Sequence, residues 1–208
     1  EYKKIVQEVA KATDGPTSIE VYADWDTKAE DMIKQAREMA TWIPNAYIKL
    51  PIIPQGLKAA KELCPEIKLN LTLCFSQQQA AAVYAATREA PYPVFVSPFV
   101  GRLDDKGQNG MDVVANIISM FEASDGHVKA LTASVRNKNH LLYALMLKSY
   151  AITLPFKIFK EWAVDGFEIP TLAFVYDVPQ LKEIPYEQAT LDNEWNSYNI
   201  KHPLTDAG

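Results

Sequence analysis

The sequence predicts an α/β fold: a parallel (β/α)8 TIM barrel, of which the chain supplies strands three to eight. Three observations predict it. First, apolar runs of strand length alternate strictly with helical patterns up to about Val164, which implies a parallel sheet. Second, each strand candidate has one greasy face and one that turns polar towards its carboxyl end. An open doubly wound sheet is covered by helices on both sides and would be apolar on both faces. A barrel is greasy outside and gathers polar groups at the top of its inside. Third, the candidates number six, and the pattern opens in mid-helix without an initiator methionine. The expectation therefore includes two further β-α units less their final helix, roughly 45–60 residues, ahead of residue 1.

The elements follow in order. Residues 2–12 carry Ile5, Val6, Val9 and Ala10 at helical spacing, and Asp14-Gly15-Pro16 stops them. Strand Ser18–Ala23 comes next. Thr27 is the expected cap of a helix to about Ile43, with Met32, Ile33, Ala36, Met39 and Ala40 on its apolar face. Strand 45–52 leads to a short helix over 55–63, which ends at Cys64-Pro65. Strand Lys68–Phe75 precedes an alanine-rich helix, capped by Ser76 and running to about Thr87. Strand Pro93–Val100 runs into a Gly-rich loop, 101–110, and a helix spans Met111 to about Ala123. Strand Val128–Val135 precedes a helix over Lys138–Lys148. Strand Tyr150–Leu154 and a helix over Phe156–Val164 close the series.

Residues 1–166 are thus the expected barrel domain. From about Phe167 the pattern breaks, and Pro170, Pro179, Pro185 and Pro203 punctuate the rest. A helical piece with Trp195 is expected near 187–199. Segment 167–208 reads as an extension that closes over the barrel mouth or docks on a neighbouring subunit.

Composition narrows the class. A chain of 208 residues can bury one real core, and 48% hydrophobic with 23% charged residues is ordinary for a globular protein. A net charge of −5 leaves no basic footprint for nucleic acid. No apolar run reaches membrane-spanning length, and none reads as a signal peptide. Cys64 and Cys74 are too few for a disulfide scaffold and are expected as buried thiols in a reducing cytoplasm. Neither they nor His127, His140 and His202 have metal-ligand spacing, so neither metal nor other cofactor is expected.

The chemistry gathers around Ala46-Tyr47-Ile48-Lys49-Leu50-Pro51-Ile52-Ile53. Strand periodicity puts Tyr47, Lys49 and Pro51 on one face. Pro51 and Pro54 set Lys49 at the carboxyl end of its strand, where α/β proteins do chemistry. A lysine there can attack a carbonyl through its amine. The run alone also fits a lysine whose stem snorkels along a surface strand. Other strand ends supply Glu20, Asn70, Thr72, Ser97, Ser134 and Arg136 to the expected interior, with Arg102 just beyond its strand. A guanidinium fork matches phosphate or carboxylate oxygens. A Schiff base on a phosphorylated ketose is the natural chemistry of this set.

Four segments carry a resemblance. Asn70-Leu71-Thr72-Leu73-Cys74-Phe75-Ser76 resembles the N-(L/M/T)-T-L-x-F-S strand of the transaldolase family. Ser97-Pro98-Phe99-Val100-Gly101-Arg102-Leu103-Asp104-Asp105 is similar to its S-P-F-V-G-R-(I/L)-x-D segment. Ala133-Ser134-Val135-Arg136-Asn137 is similar to its A-S-F-R-N strand end, with Val135 for the usual Phe. The lysine strand resembles its V-(I/V)-K-(I/V/L)-P run.

The resemblance implies a class I, metal-free transaldolase of the pentose phosphate pathway, acting on sugar phosphates and oligomerising with itself. Lys49 is then the Schiff-base lysine, and Glu20 with Thr72 holds the water that relays protons. Asn70 binds a substrate hydroxyl and Ser97 lines the site. Arg102, Ser134 and Arg136 bind the phosphate. The family's first-strand Asp and its T-T-N-P-S motif do not occur in the chain. The fructose-6-phosphate aldolase branch typically has Gln at position 20 and Tyr at position 99; Glu20 and Phe99 are the transaldolase residues. Two alternatives stay open: an aldolase of that branch, and a non-catalytic barrel or assembly protein that lacks the first-strand Asp.

Overall fold

The computed structural model describes residues 1–171 and 173–208. Six parallel strands pair in chain order: β1 (Thr17–Glu20), β2 (Ala46–Pro51), β3 (Leu69–Cys74), β4 (Val94–Pro98), β5 (Val128–Thr132) and β6 (Ala151–Ile152). The sheet curls as six consecutive β-α units of a TIM barrel. The helices between strands are α2 (Ala29–Met39), α3 (Pro54–Leu63), α4 (Gln77–Ala86), α5 (Val100–Asp104) with α6 (Gly110–Phe121), and α7 (Lys138–Met146). Helix α1 (Tyr2–Lys11) precedes β1, and α8 (Phe156–Val164) follows β6.

The outward strand faces make the core. Ile19, Ile48, Leu50, Leu69, Leu71 and Val96 are fully buried and pack on Met32, Ala36, Leu57, Leu63, Val83 and Ile117 of the helices. Burying each such strand side chain contributes roughly 1.5–3 kcal/mol. This row also fixes register, because a slip of one residue would turn it towards the interior. Cys64 and Cys74 are both buried and unpaired by disulfide. Burial pushes their thiols up, to about 11 and about 12 respectively.

Several expectations change. Strand β1 ends at Glu20, so Val21–Ala23 belong to the following loop. Thr27 does not cap α2. Its hydroxyl donates to Asp24 Oδ1 at 2.7 Å, and Lys28 is the cap residue. The Gly-rich stretch 101–110 contains helix α5 and the first residue of α6. Gly101 and Gly110 serve tight contacts instead, a Cβ on Gly110 lying 2.2 Å from Val100 O, while Gly107 takes a left-handed φ of 75°.

The strand phase also breaks twice. Leu73 has φ 61°, and the β3–β4 register shifts between Leu71 and Cys74, so Cys74 turns into the helix-side core. In β5 the inner residues are Leu131 and Ala133, which cluster with Tyr47 and Phe95. Thr132, which shares the phase of the expected inward residues Ser134 and Arg136, is buried on the other side beside Ser149, with hydroxyls 2.8 Å apart.

The segment from Phe167 lies against its own chain. Lys182 accepts from Asn109 N–H, Ile184 N–H donates to Asp112, and Gln77 exchanges hydrogen bonds with the Glu187 backbone. Arg88 donates to Leu191 O and Asn193 O. Near 187–199 there is only one 3-10 turn, Trp195–Ser197. The strap explains α4, which is buried nearly all round: the sheet covers one side and the strap's Leu191, Trp195 and Tyr198 pack with the same cluster. Its final turn, α9 (Pro203–Asp206), reaches the carboxyl end of β3.

Two outcomes test the packing. Gly56→Ala puts a Cβ 2.0 Å from Pro51 O, a backbone atom that cannot swing aside. The expected cost is about 2 kcal/mol in urea unfolding. Neither cysteine should react with a thiol-specific disulfide reagent at pH 8 until denaturant is added, since both thiols titrate far above that pH.

Candidate active site

Register builds the site. Glu20 pairs with Lys49 across β1 and β2, and Lys49 pairs with Asn70 across β2 and β3. These three side chains therefore form one row on the inner face. Lys49 Nζ stands 3.2 Å from Glu20 Oε2. Lys49 is mostly buried, while Glu20 is half-exposed. Beneath Lys49 on the same face, Tyr47 stacks on Phe95 with centroids 4.5 Å apart. Burial pushes the Tyr47 phenol up, so it stays neutral and makes a dry floor.

Asn70 is the second anchor. Ser97 Oγ donates to Asn70 Oδ1 at 2.7 Å, and Asn70 Nδ2 donates to Ser18 Oγ at 3.0 Å. The amide is thereby oriented by its neighbours. A cavity of about 240 Å³ opens over this row. Glu20, Lys49, Asn70, Ser97, Phe99 and Ser134 line it, together with Tyr2, Ser18 and Thr153. Ser134 enters despite the β5 phase because its own φ is 60°, a left-handed turn that re-aims the side chain.

Three expected residues stand outside that lining. Thr72 is fully buried behind Lys49's neighbour Pro51, and its hydroxyl has no protein partner. Arg102 holds its guanidinium carbon 5.3 Å from the Phe99 ring centroid, and Lys49 Nζ is 5.7 Å from the same centroid. Arg136 Nη2 bonds Asp105 Oδ2 at 3.0 Å. A Cβ on Gly101 would meet Arg136 Cγ at 2.3 Å and Ser134 O at 2.4 Å. A glycine is needed there for Arg136 to lie against the start of α5.

Other contributors were not legible in the sequence. Ser18 and Thr153 carry no motif, and Tyr2 lies in a helix. Its hydroxyl accepts the Glu20 N–H at 2.9 Å. His140, given no role from sequence, places Nε2 2.8 Å from Asp104 Oδ2, and its Nδ1 accepts the Arg136 N–H at 3.3 Å. The pair ties α5, α7 and the Arg136 backbone together. The one available signal was spacing, since His140 stands one helical turn after Arg136. A second cavity of about 280 Å³ adjoins Glu20 on its other side, between the loop 21–25, Leu73 and α9. Among the described residues, no helix is long and apolar enough to cross a membrane.

The family model described as transaldolase/fructose-6-phosphate aldolase matches residues 2–200. The chain belongs to that family. A probable transaldolase of Thermoanaerobacter is 40% identical over 209 residues, an alignment that covers 100% of this chain and 76% of the relative. A probable transaldolase of Herpetosiphon aurantiacus is 38% identical, covering 84% of this chain and 82% of the relative. A probable transaldolase of Sorangium cellulosum is 40% identical, covering 76% and 70%. For this transaldolase-family chain, the half-exposed Glu20 leaves its ion pair with the mostly buried Lys49 open to water on one side, and a water-screened pair contributes about 1 kcal/mol or less. Lys49→Met should therefore shift the unfolding free energy by less than about 1 kcal/mol, as measured by urea titration.

Proposed function

We propose that the protein is a transaldolase that moves a dihydroxyacetone unit between sugar phosphates through a Schiff base on Lys49. The observation that carries the reading is Lys49 Nζ beside Glu20 Oε2 at 3.2 Å, in a cavity at the carboxyl ends of the strands. The amine of Lys49 attacks the ketose carbonyl, and loss of water from the adduct gives the iminium. Glu20 is placed to take up and return the protons of that dehydration. Breaking the C–C bond one carbon beyond the iminium carbon sends its electron pair into the iminium, which becomes an enamine, while the hydroxyl on the departing carbon gives its proton through water to Glu20 and the aldose phosphate leaves. An acceptor aldehyde then takes the enamine carbon, and hydrolysis frees Lys49.

The remaining residues fit supporting roles. Asn70, held by Ser97 and Ser18, presents its amide to a substrate hydroxyl. Thr72 keeps a buried hydroxyl free of protein partners at the end of the row, suited to a proton relay. Arg102, Arg136 and Ser134 lie together around Phe99 and Gly101 and suit the phosphate end. Phe156, Phe159, Val164 and Phe167 stay exposed on one side of the molecule, which supports self-association. The pentose phosphate pathway, in the cytoplasm, follows as the setting for such substrates.

A single experiment tests the reading. Incubation with fructose 6-phosphate and borohydride should leave a reduced adduct, mapped to Lys49 by mass spectrometry. Lys49→Met should leave none. In a separate incubation without borohydride, addition of erythrose 4-phosphate should accelerate release of glyceraldehyde 3-phosphate at least tenfold. An adduct without that acceleration would mark an aldolase instead, and no adduct would leave a non-catalytic barrel.

A further inference from the structure

The least expected contact at the site comes from the strap. Leu73 follows Thr72 directly and has φ 61°, a conformation that leucine rarely adopts. Something must hold it there. Its carbonyl accepts a hydrogen bond from Thr205 Oγ1 at 2.9 Å. Thr205 in turn accepts from Gln79 Nε2 at 2.7 Å, and Gln79 Oε1 accepts the Phe75 N–H at 2.7 Å. The Gln79 amide also donates to Ile200 O at 3.1 Å. Gln79 and Thr205 are both buried, so these polar groups have no solvent alternative. The result is a closed clamp on both sides of the turn, at the carbonyl of residue 73 and the amide of residue 75.

The turn has a consequence for Thr72. The β3–β4 register shifts between Leu71 and Cys74, and Thr72 is the last residue whose inward phase survives. Its hydroxyl is buried without a protein partner. If Leu73 relaxed to an extended conformation, β3 would continue in phase and Cys74 would leave the helix-side core. We infer that Thr205 is a positioning residue: acting with Gln79, it fixes the left-handed turn at Leu73 and so sets where the Thr72 hydroxyl points. The inference rests on the transaldolase reading for what Thr72 does, but not for the clamp itself. It also gives α9 a role. A four-residue helix adds little stability of its own, yet it delivers one hydroxyl into the end of β3.

The test is Thr205→Val, which keeps the shape of the side chain and removes the hydroxyl, with Thr205→Ala as a second variant should valine not be accommodated. Two readouts are taken on the whole chain. Amide exchange over residues 72–76 should speed up at least tenfold, while exchange in β4 and β5 stays as in the wild type. The kcat should fall about tenfold, with KM for fructose 6-phosphate within twofold, because the Thr205 hydroxyl bonds Leu73 and Gln79 and none of the residues assigned to the phosphate. Thr205→Ser should restore both. Unchanged exchange at 72–76 overturns the inference, as does a kcat within twofold of wild type or a rise in KM without a fall in kcat. If the wild type itself forms no Lys49 adduct, the transaldolase reading fails, and the exchange readout still decides whether Thr205 fixes the turn.

Discussion

The structure depends on the register of three parallel strands. Glu20, Lys49 and Asn70 meet because β1, β2 and β3 pair with those residues side by side. Adjacent strands lie about 4.8 Å apart, so a charged pair and an amide fall within reach of one another with no further device. What holds that register is the opposite face. Ile19, Ile48, Leu50, Leu69 and Leu71 are fully buried against the helices, and any slip would expose them. The apolar face thus determines the geometry of the reactive one.

That dependence explains what could be read from sequence. A period of two, anchored on the greasy residues, correctly oriented Lys49, Asn70 and Ser97, because their strands keep phase to that point. It failed after Thr72 and within β5. At Leu73 and Ser134 the backbone turns left-handed at residues that are not glycine, and no local pattern announces this. Ser134 still reached the cavity, by a different route from the one expected. Partnerships between distant positions were invisible for a related reason. Asn70 lies 52 residues from Ser18 and 27 from Ser97, and the three become a network only through tertiary packing. His140 with Asp104 is another such case, as spacing within one helix says nothing about a carboxylate on the neighbouring one.

The strap shows how a weakly patterned segment earns its place. Its prolines exclude long helices, and its backbone is satisfied by side chains of the barrel, notably Gln77, Arg88 and Asn116. Gln77 and Gln79 at the start of α4 are buried. Gln77 bonds both ways to the strap, while Gln79 donates to the strap and accepts the Phe75 N–H of the barrel. The alanine-rich composition of α4 answers the same need, since small side chains let two layers approach one helix. The barrel and the strap therefore form one folding unit around α4.

The clamp on Leu73 joins residues 132 positions apart. Such a contact closes one of the longest loops available to the chain, and its entropic cost is met only when everything between is already in place. During synthesis β3 and α4 emerge early, while Thr205 follows after three more strands. A nascent chain therefore holds Lys49 and Glu20 in register well before the end of β3 takes its final form. The end of β3 is thus shaped late, by a segment that lies far from it along the chain.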